Sequence, residues 1–365
     1  MSAVPTAPLV AVGLSGGVDS SVAAALLLRQ GFRVVGVTMC IWDGSLPMAD
    51  EGRSGCFGPG EARDLESAEA VARRLGISHV RVSLAEEYRR EVLEYFRTEY
   101  LTGRTPNPCV RCNRVMKFGL MMDGVRKQGI DYDFYATGHY ARVDRDEQGR
   151  VRLRRAAYAA KDQTYFLSGL SREQLEVLKL PLGEMTKEQV REEARALGWA
   201  DLADKEESQD FIESKDTGVL FSEGESRPGP IRTLDGQILG EHRGIIHYTI
   251  GQRKGLGIGG AGDPYYVIRI DACAHALIVG RHEDCFSSRL TVAAPNWQRP
   301  EGALSAPLRA EVKIRQQHRA APALLTPREG GGIEVVFDEP QMSVAPGQIA
   351  VFYEGDDVLG GGAIA

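Results

Sequence analysis

Two short stretches of the sequence carry residue types whose spacing can do chemistry. The first is SGGVDSS, Ser15 to Ser21. A glycine-rich turn that opens a helix presents backbone N–H groups and the positive end of the helix dipole to an anion. Gly16 and Gly17 let the backbone approach closely, Ser15 and Ser20 add hydroxyl donors, and Asp19 would repel a phosphate unless it held Mg²⁺. The lysine that follows the last glycine of the ordinary ATP/GTP phosphate loop is absent. The second stretch is GRTPNPCVRCN, Gly103 to Asn113. Its two prolines fix backbone angles, and Cys109 and Cys112 lie at the C-x-x-C spacing that turns two sulfurs toward one point. Zinc, redox and sulfur-transfer sites all use that spacing.

The elements that must position these stretches alternate in type. Leu9 to Leu14 reads as an apolar strand, followed by the glycine turn and an Ala/Leu-rich helix from Val22 to Gln30. Strands at Arg33 to Met39, His79 to Leu84 and Asp133 to Thr137 continue the pattern, with helices at Arg63 to Leu75, Glu86 to Leu101 and Phe118 to Arg126. Such alternation predicts an α/β fold, a Rossmann-like parallel sheet covered on both faces, with ligands beyond the carboxyl ends of the strands. Ser15 to Ser21, Trp42 to Gly60 and Gly103 to Asn113 all fall at those ends, as loops. From Arg142 a hairpin is expected, turning at Glu147-Gln148-Gly149 between arginine-rich strands. Helices follow at Arg172 to Lys179 and Lys187 to Leu197, the latter opened by Thr186 and Gln189 as a capping box.

After about Lys205, Gly and Pro become frequent and helical periodicity disappears. β-branched runs at Gly244 to Ile250, Tyr265 to Ile270 and Ala276 to Val279 predict a small β-rich central domain. Runs at Leu308 to Ile314, Gly332 to Phe337 and Gln348 to Tyr353 predict a C-terminal β-barrel. The expected division is 1–205, 206–285 and 286–365. The glycines from Gly255 to Gly260 have the content of a dinucleotide fingerprint, but Asp263-Pro264 follows in place of a helix, so a turn is expected.

At 365 residues the chain exceeds one ordinary compact domain. No apolar run approaches the roughly 20 residues of a membrane span. Met1 to Pro8 lacks the basic and apolar regions of a signal peptide, so a cytoplasmic protein without membrane contact is expected. Six cysteines are too few for a disulfide scaffold. A net charge of −6 argues against indiscriminate nucleic-acid binding and leaves room for local basic surfaces. Arg150, Arg152, Arg154 and Arg155 on the hairpin are read equally as a solvated face or as phosphate-following, and Arg309, Lys313, Arg315 and Arg319, at near-alternate spacing on a strand, favour an RNA-facing surface.

SGGVDS resembles the motif of the ATP pyrophosphatases, which cleave ATP between the α- and β-phosphates and adenylate a substrate. Further segments extend the likeness: ATGHYAR (136–142), KDQTYFL (161–167), GEHRGIIHYTIGQRKGLGIGG (240–260), FDEPQMSVAPGQIAVFY (337–353) and LGGGAI (359–364). With GRTPNPCVRCN, these make the sequence resemble the tRNA 2-thiouridylase family (MnmA/TrmU) over nearly the whole chain. The resemblance implies formation of 2-thiouridine at the anticodon wobble position. ATP adenylates the uracil 2-carbonyl oxygen, a sulfur nucleophile attacks that carbon, and AMP departs.

By resemblance, Gly13, Leu14, Ser15, Gly16, Gly17, Val18, Asp19 and Ser20 bind the ATP phosphates, and Met39 and Gly138 contact ATP. Asn107, Pro108 and Cys109 lie against the target base, and Cys112 matches the catalytic cysteine. His139, Lys161, Asp162, Gln163, Arg315, Gln316 and Gln348 match tRNA-contacting positions, although Gln316 replaces an aromatic residue common in well-known members. An amidating enzyme of the broader class would usually carry an ammonia-supplying domain, and none is visible. A non-catalytic tRNA-binding descendant should have lost SGGVDS or the C-x-x-C, and both are intact.

The pattern breaks at the cysteines. In the best-known members the first position of the C-x-x-C is Asp, and a second catalytic cysteine near the end of the first domain carries a persulfide. Here Cys109 stands at the first position, and ESQDFIES (207–214) contains no cysteine, with Asp210 at the expected place. Cys56, in the loop after the second strand, would join Cys109 and Cys112 as three thiolates. That set suits a 4Fe-4S cluster whose fourth iron stays open to sulfide. Direct Cys109/Cys112 persulfide chemistry and zinc are the alternatives, and Cys40 is the alternative third ligand. Cys273 and Cys285 are expected to be inert. The sulfur donor, sulfide or a carrier protein, is left open.

Overall fold

The structure is a computed structural model that describes residues 7–365 except 51, 53, 54, 206–209, 215, 260–262 and 300. It divides into two compact units. The first comprises Met1–Glu91, Cys109–Lys215 and Asp356–Val358; the second comprises Val92–Pro108, Asp216–Gly355 and Leu359–Ala365.

In the first unit the glycine turn lies between β1 (Leu9–Gly13) and α1 (Val18–Arg29), as the sequence predicts. β2 (Arg33–Cys40) follows, then β3 (Gly55–Phe57), α2 (Glu61–Leu75), β4 (Ser78–Ser83) and β5 (Phe134–Ala136). β6 (Arg142–Arg145) and β7 (Val151–Arg154) form the expected hairpin. β8 (Leu178–Lys179) completes a parallel sheet in the order β4-β2-β1-β5-β8. Val10, Ala11 and Val12 have no exposed surface, which is why β1 reads as a continuous apolar run and does not alternate. The core around Val10 and Val12 includes Val22 and Leu27 of α1, Ala68 and Val71 of α2, and Val190 and Ala194 of the helix Lys187–Ala196. Both Thr186–Gln189 and Ser171–Gln174 form complete capping boxes.

Three local expectations are corrected. The helix foreseen over Arg172 to Lys179 stops at Glu176, and Leu178–Lys179 is the edge strand of the sheet. The C-x-x-C is not in a loop. Pro108–Arg111 is helical and leads into a π-helix, Cys112–Leu120, and then an α-helix, Met121–Lys127. Proline at the first helical position loses no intrahelical hydrogen bond, so the Pro that reads as a breaker is here a start signal. The arginine hairpin is also no open phosphate-following face. Arg150 pairs with Asp146, while Arg152 and Arg154 both pair with Asp144 and Asp357.

β3 pairs in parallel with β9 (Asp210–Ile212), placing Gly55 opposite Asp210 and Phe57 opposite Ile212. This strand pair was not foreseen from sequence. Phe57 is buried, stacks on Tyr88 at 5.3 Å and meets Trp42 edge-on at 4.9 Å. The alternation of a strand then turns Cys56 away from that aromatic cluster, and it is exposed.

The second unit holds two β structures. One is a four-stranded sheet of β10 (Gly229–Thr233), β11 (Ile238–His242), β12 (Tyr266–Asp271) and β13 (Ala276–Gly280), ordered β11-β10-β13-β12. Ile231, Ile246, Val267 and Leu277 form its core, and Tyr100 and Leu101 pack against it. That packing is why Val92–Pro108 falls in this unit and 1–205 is not continuous. Ile245–His247 is a 3₁₀ turn, so the β-branched run from Gly244 to Ile250 reflects burial and not a strand. Gly255 and Gly257 sit in left-handed conformations in a turn region with no following helix; residue 260 lies outside the described residues.

The other structure contains β14 (Phe286–Val292), β15 (Asn296–Trp297), β16 (Leu308–Lys313), β17 (Ala321–Pro327), β18 (Ile333–Met342), β19 (Ile349–Glu354) and β20 (Asp357–Ala363). Val312, Leu325, Val335 and Phe352 are central to its core. On its surface Arg309 forks onto Asp338, while Arg315 donates to the Met342 carbonyl at 2.9 Å. Among the described residues no helix is long and apolar enough to cross a membrane.

Candidate functional site

A cavity of about 330 Å³ opens in the first unit where β1, β2 and β5 end. Its walls include Gly13 to Ser15 and Gly17 to Ser20 after β1, Thr38 and Met39 of β2, and Thr137 to His139 after β5. The ATP-contacting set implied by the sequence is therefore brought together, with Gly16 behind the wall.

Gly17 is the N-cap of α1 and no side chain caps that end, so the first-turn N–H groups are available to an anion. Ser15 N donates to Ser20 Oγ at 3.2 Å, which holds the turn closed. Gly16 has φ +71°, and a Cβ there would sit 2.6 Å from the Asp64 carbonyl oxygen. A Cβ on Gly138 would lie 2.7 Å from Ser20 N. Close approach of backbone to the phosphate turn thus explains both glycines.

Asp19 is not an open magnesium ligand. Lys187 Nζ contacts its two carboxylate oxygens at 2.8 and 2.9 Å, and the Tyr140 hydroxyl donates to Oδ1 at 2.7 Å. The Lys187 side chain is only 5% exposed, whereas that of Asp19 is 27% exposed, so the ammonium is buried and the carboxylate still meets the cavity. Asp64 faces Lys205 at 3.0 Å, and Lys205 Nζ also donates to the Gly16 carbonyl at 3.2 Å. Glu61 Oε1 accepts from Ile41 N at 2.6 Å and Trp42 N at 3.0 Å. The carboxylates of Asp19, Glu61 and Asp64 all line this wall, each is already engaged, and among the described residues they are not arranged as a metal site. A magnesium ion would compete with ammonium or amide partners for them.

The same cavity also carries sulfur. Cys112 and Cys56 line it together with Lys117, and Cys40 does not. Cys112 and Lys117 are five residues apart in the π-helix, whose i to i+5 repeat brings them round to neighbouring positions. Burial pushes the Cys109 thiol up to about 11 and the Cys112 thiol up to about 12. Lys117 opposes both shifts, and the Cys56 charge adds to them. Asp210, at the place where a downstream cysteine was sought, also raises Cys109. Burial works against the charge of Lys117, but the three sulfurs outweigh it and raise its pKa.

The three thiols therefore share one electrostatic neighbourhood. However, among the described residues no group of three His, Cys, Asp or Glu side chains is arranged to hold a metal ion. The expected cluster ligation by Cys56, Cys109 and Cys112 is not built into the side-chain placement. Residues 207–209 of ESQDFIES lie outside the described residues.

The tRNA-matching residues separate by role. His139 lines the cavity, bonds Thr137 Oγ1 through Nδ1 at 2.8 Å, and is held down at about 3 by burial, with Lys117 adding to the shift. It is a neutral hydrogen-bonding group, not a phosphate-seeking cation. Asp162 is buried and accepts from Ala156 N and Thr164 Oγ1, a turn-building role. Gln163 lines the cavity and accepts from Tyr140 N at 2.8 Å. Lys161 ends a short 3₁₀ turn. Asn107, Pro108, Arg315, Gln316 and Gln348 belong to the second unit.

Sequence reasoning missed Lys117, Tyr140, Lys187 and Lys205. Lys187 sits in the first turn of its helix, where it reads as an ordinary solvated residue. Lys117 was legible only if the helix after Cys112 were known to be a π-helix.

Because burial keeps the protons on Cys109 and Cys112, both should alkylate slowly with iodoacetamide near neutral pH. The exposed Cys56 and Cys273 should react first. Modification of Cys112 should accelerate as pH rises beyond 10 and be slower still in Lys117→Met. Peptide mass mapping checks this, and fast Cys112 labelling at pH 7 would contradict it.

Comparison with known proteins gives concordant matches. Residues 9–213 match the family described as the tRNA methyl transferase HUP domain, and 218–281 match its PRC-barrel domain. Residues 287–364 match the aminomethyltransferase beta-barrel domain. The chain is 44% identical over 361 residues to a protein named tRNA-specific 2-thiouridylase MnmA from Acetivibrio thermocellus, covering 97% of this chain and 98% of that protein. It is 45% identical over 359 residues to the protein of the same name from Endomicrobium trichonymphae, with the same coverage. Among solved structures, a 4-thiouridine synthetase bound to RNA and ATP overlaps 55% of this chain and 43% of its own, at 17% identity and a TM-score of 0.35.

Proposed function

The chain belongs to the MnmA family of tRNA-specific 2-thiouridylases, and on that footing we propose how its own residues carry out the sulfur transfer. It is a sulfurtransferase that acts on tRNA, and its HUP domain implies the use of ATP. The finer reading is adenylation of the uracil 2-carbonyl oxygen at the wobble uridine, followed by sulfur attack and loss of AMP. The observation that carries it is one cavity lined both by an uncapped helix N-terminus and by Cys56 and Cys112.

An unactivated urea-like carbonyl is a poor electrophile, so the nucleotide must act first. The first-turn amides of α1 take the phosphates, with Ser15 and Ser20 beside them, and Met39 flanks the nucleotide at the end of β2. Magnesium, when bound with ATP, supplies charge neutralisation to the phosphates. The family resemblance assigns Asn107, Pro108 and Cys109 to the base, and within the first unit His139 and Gln163 line the cavity with neutral hydrogen-bonding groups. Cys112 is the group nearest the sulfur chemistry, with Lys117 favouring its thiolate once the proton leaves.

Cys56, Cys109 and Cys112 form the sulfur-handling set in this reading. Three thiolates would suit a 4Fe-4S cluster with an open iron for sulfide, but the side chains are not arranged to hold a metal ion and burial keeps Cys109 and Cys112 protonated, so the cluster rests on the cysteine pattern of the sequence alone. A Cys109/Cys112 persulfide route needs neither iron nor Cys56, but it needs a carrier that already holds sulfane sulfur. The Cys112 persulfide attacks the adenylated carbon as AMP leaves, and Cys109 then releases 2-thiouridine by forming a Cys109–Cys112 disulfide that an external thiol reduces. The six cysteines are free thiols, in keeping with a reducing cytoplasm and with sulfide or a sulfur-carrier protein as donor.

Incubation with tRNA and ATP labelled at the α-phosphate tests the reading. AMP and pyrophosphate are the expected products, and ADP would overturn it.

Recognition of tRNA rests on local contacts, since the chain carries a net charge of −6. Lys161→Ala and Arg315→Ala should each weaken tRNA binding by about 5- to 20-fold and reduce its salt dependence. Free-ATP affinity should not move. Equal loss of both affinities would assign these residues to the fold.

A further inference from the structure

The phosphate turn lacks a lysine of its own, yet a departing pyrophosphate needs a cation at the end where its charge develops. Among the described residues lining the cavity, Lys117 and Lys205 carry positive charge, since His139 stays neutral. Lys117 is surrounded by the electrostatics of Cys56, Cys109 and Cys112. Lys187 does not line the cavity and is held against Asp19.

Lys205 differs in placement. It lies 189 residues beyond the turn in sequence, and its Nζ touches the Gly16 carbonyl inside the turn itself. Its second contact is Asp64 Oδ1 in the first turn of α2. An ammonium group has three N–H donors, so these two contacts leave one donor for a ligand. The side chain is 35% exposed, which leaves it room to reorient without dismantling the core.

We propose that Lys205 is the cation that receives the β,γ-pyrophosphate of ATP, supplying from the far end of the domain the lysine that the glycine turn lacks. When the bond between the α-phosphorus and the bridging oxygen breaks, its electron pair leaves with pyrophosphate, and Lys205 stabilises that charge without giving up a proton. Asp64 and the Gly16 carbonyl are positioning partners that keep the ammonium at the mouth of the turn before ATP arrives. The proposal rests on the nucleotide reading of this cavity and adds a residue to it.

The test is calorimetric titration of the full chain with inorganic pyrophosphate and, separately, with AMP. Lys205→Gln should lose about 10- to 100-fold in pyrophosphate affinity, the range of one charge-assisted hydrogen bond, while AMP affinity is unchanged. Lys205→Arg should recover most of the loss. Thermal unfolding of each variant identifies any general damage. Undiminished pyrophosphate binding by Lys205→Gln would overturn the proposal, as would parallel loss of both ligands. Failure of the unaltered protein to bind either ligand would instead remove the nucleotide reading beneath it.

Discussion

Cys112→Ala is expected to abolish 2-thiouridine formation, by more than about 10³-fold, while ATP binding stays within a factor of two. The residue lines the cavity, is buried, and faces Lys117 from the same π-helix. No other thiol shares all three properties. Cys56→Ser and Cys109→Ser should each lose thiolation as well, because Cys56 lines the same cavity as Cys112 and both Cys56 and Cys109 act on the Cys112 thiol. Cys273→Ala should not. Iron content of anaerobically prepared protein separates the two sulfur routes. Joint loss of iron and thiolation in all three variants assigns the cluster. Full thiolation by iron-free protein assigns Cys109/Cys112 persulfide chemistry. Activity retained in Cys112→Ala would remove the cavity thiols from the mechanism altogether.

The second large effect concerns Asp19 and Lys187. Asp19→Asn and Lys187→Met should each slow tRNA-dependent pyrophosphate release by about 100-fold, because both disturb the charge at the start of α1. The double variant should be no slower than the worse single variant, since residues in one ion pair act as a unit. Lys187→Met should also lower stability modestly, because the Asp19 carboxylate that loses its ammonium partner is 27% exposed and can be solvated. If Asp19 acted on magnesium independently of Lys187, the two losses would multiply, and raising magnesium would rescue Asp19→Asn alone.

Much of the nucleotide half was legible in the sequence because its signals are local. The turn at Ser15 to Ser21 must lie between a strand and a helix to present its amides, and the flanking runs at Leu9 and Val22 say that it does. Gly138 and Met39 entered only through family resemblance, yet both stand on the cavity wall, one by a close backbone approach and the other at a strand end. The sulfur half was less legible. Pro108 has opposite meanings inside a helix and at its first position, so the C-x-x-C was placed in a loop.

Long-range pairings were not accessible at all. Nothing local links Lys187 to Asp19, Lys205 to Gly16, or Asp144 and Asp357 to the arginines of the hairpin. Cys56 was singled out only by its loop. Its position follows from β3 pairing with β9, a three-residue strand too short to carry a periodicity signal.

The central claim, that one cavity activates the tRNA uridine with ATP and delivers sulfur to it, is tested most directly by product stoichiometry. Unmodified tRNA, ATP and sulfide are incubated anaerobically with the protein, the tRNA is digested, and its nucleosides are quantified by mass spectrometry beside the released nucleotides. One AMP and one pyrophosphate per 2-thiouridine is the expected result. Thiouridine formed without ATP, or ATP consumed to ADP with no sulfur in the tRNA, would contradict it.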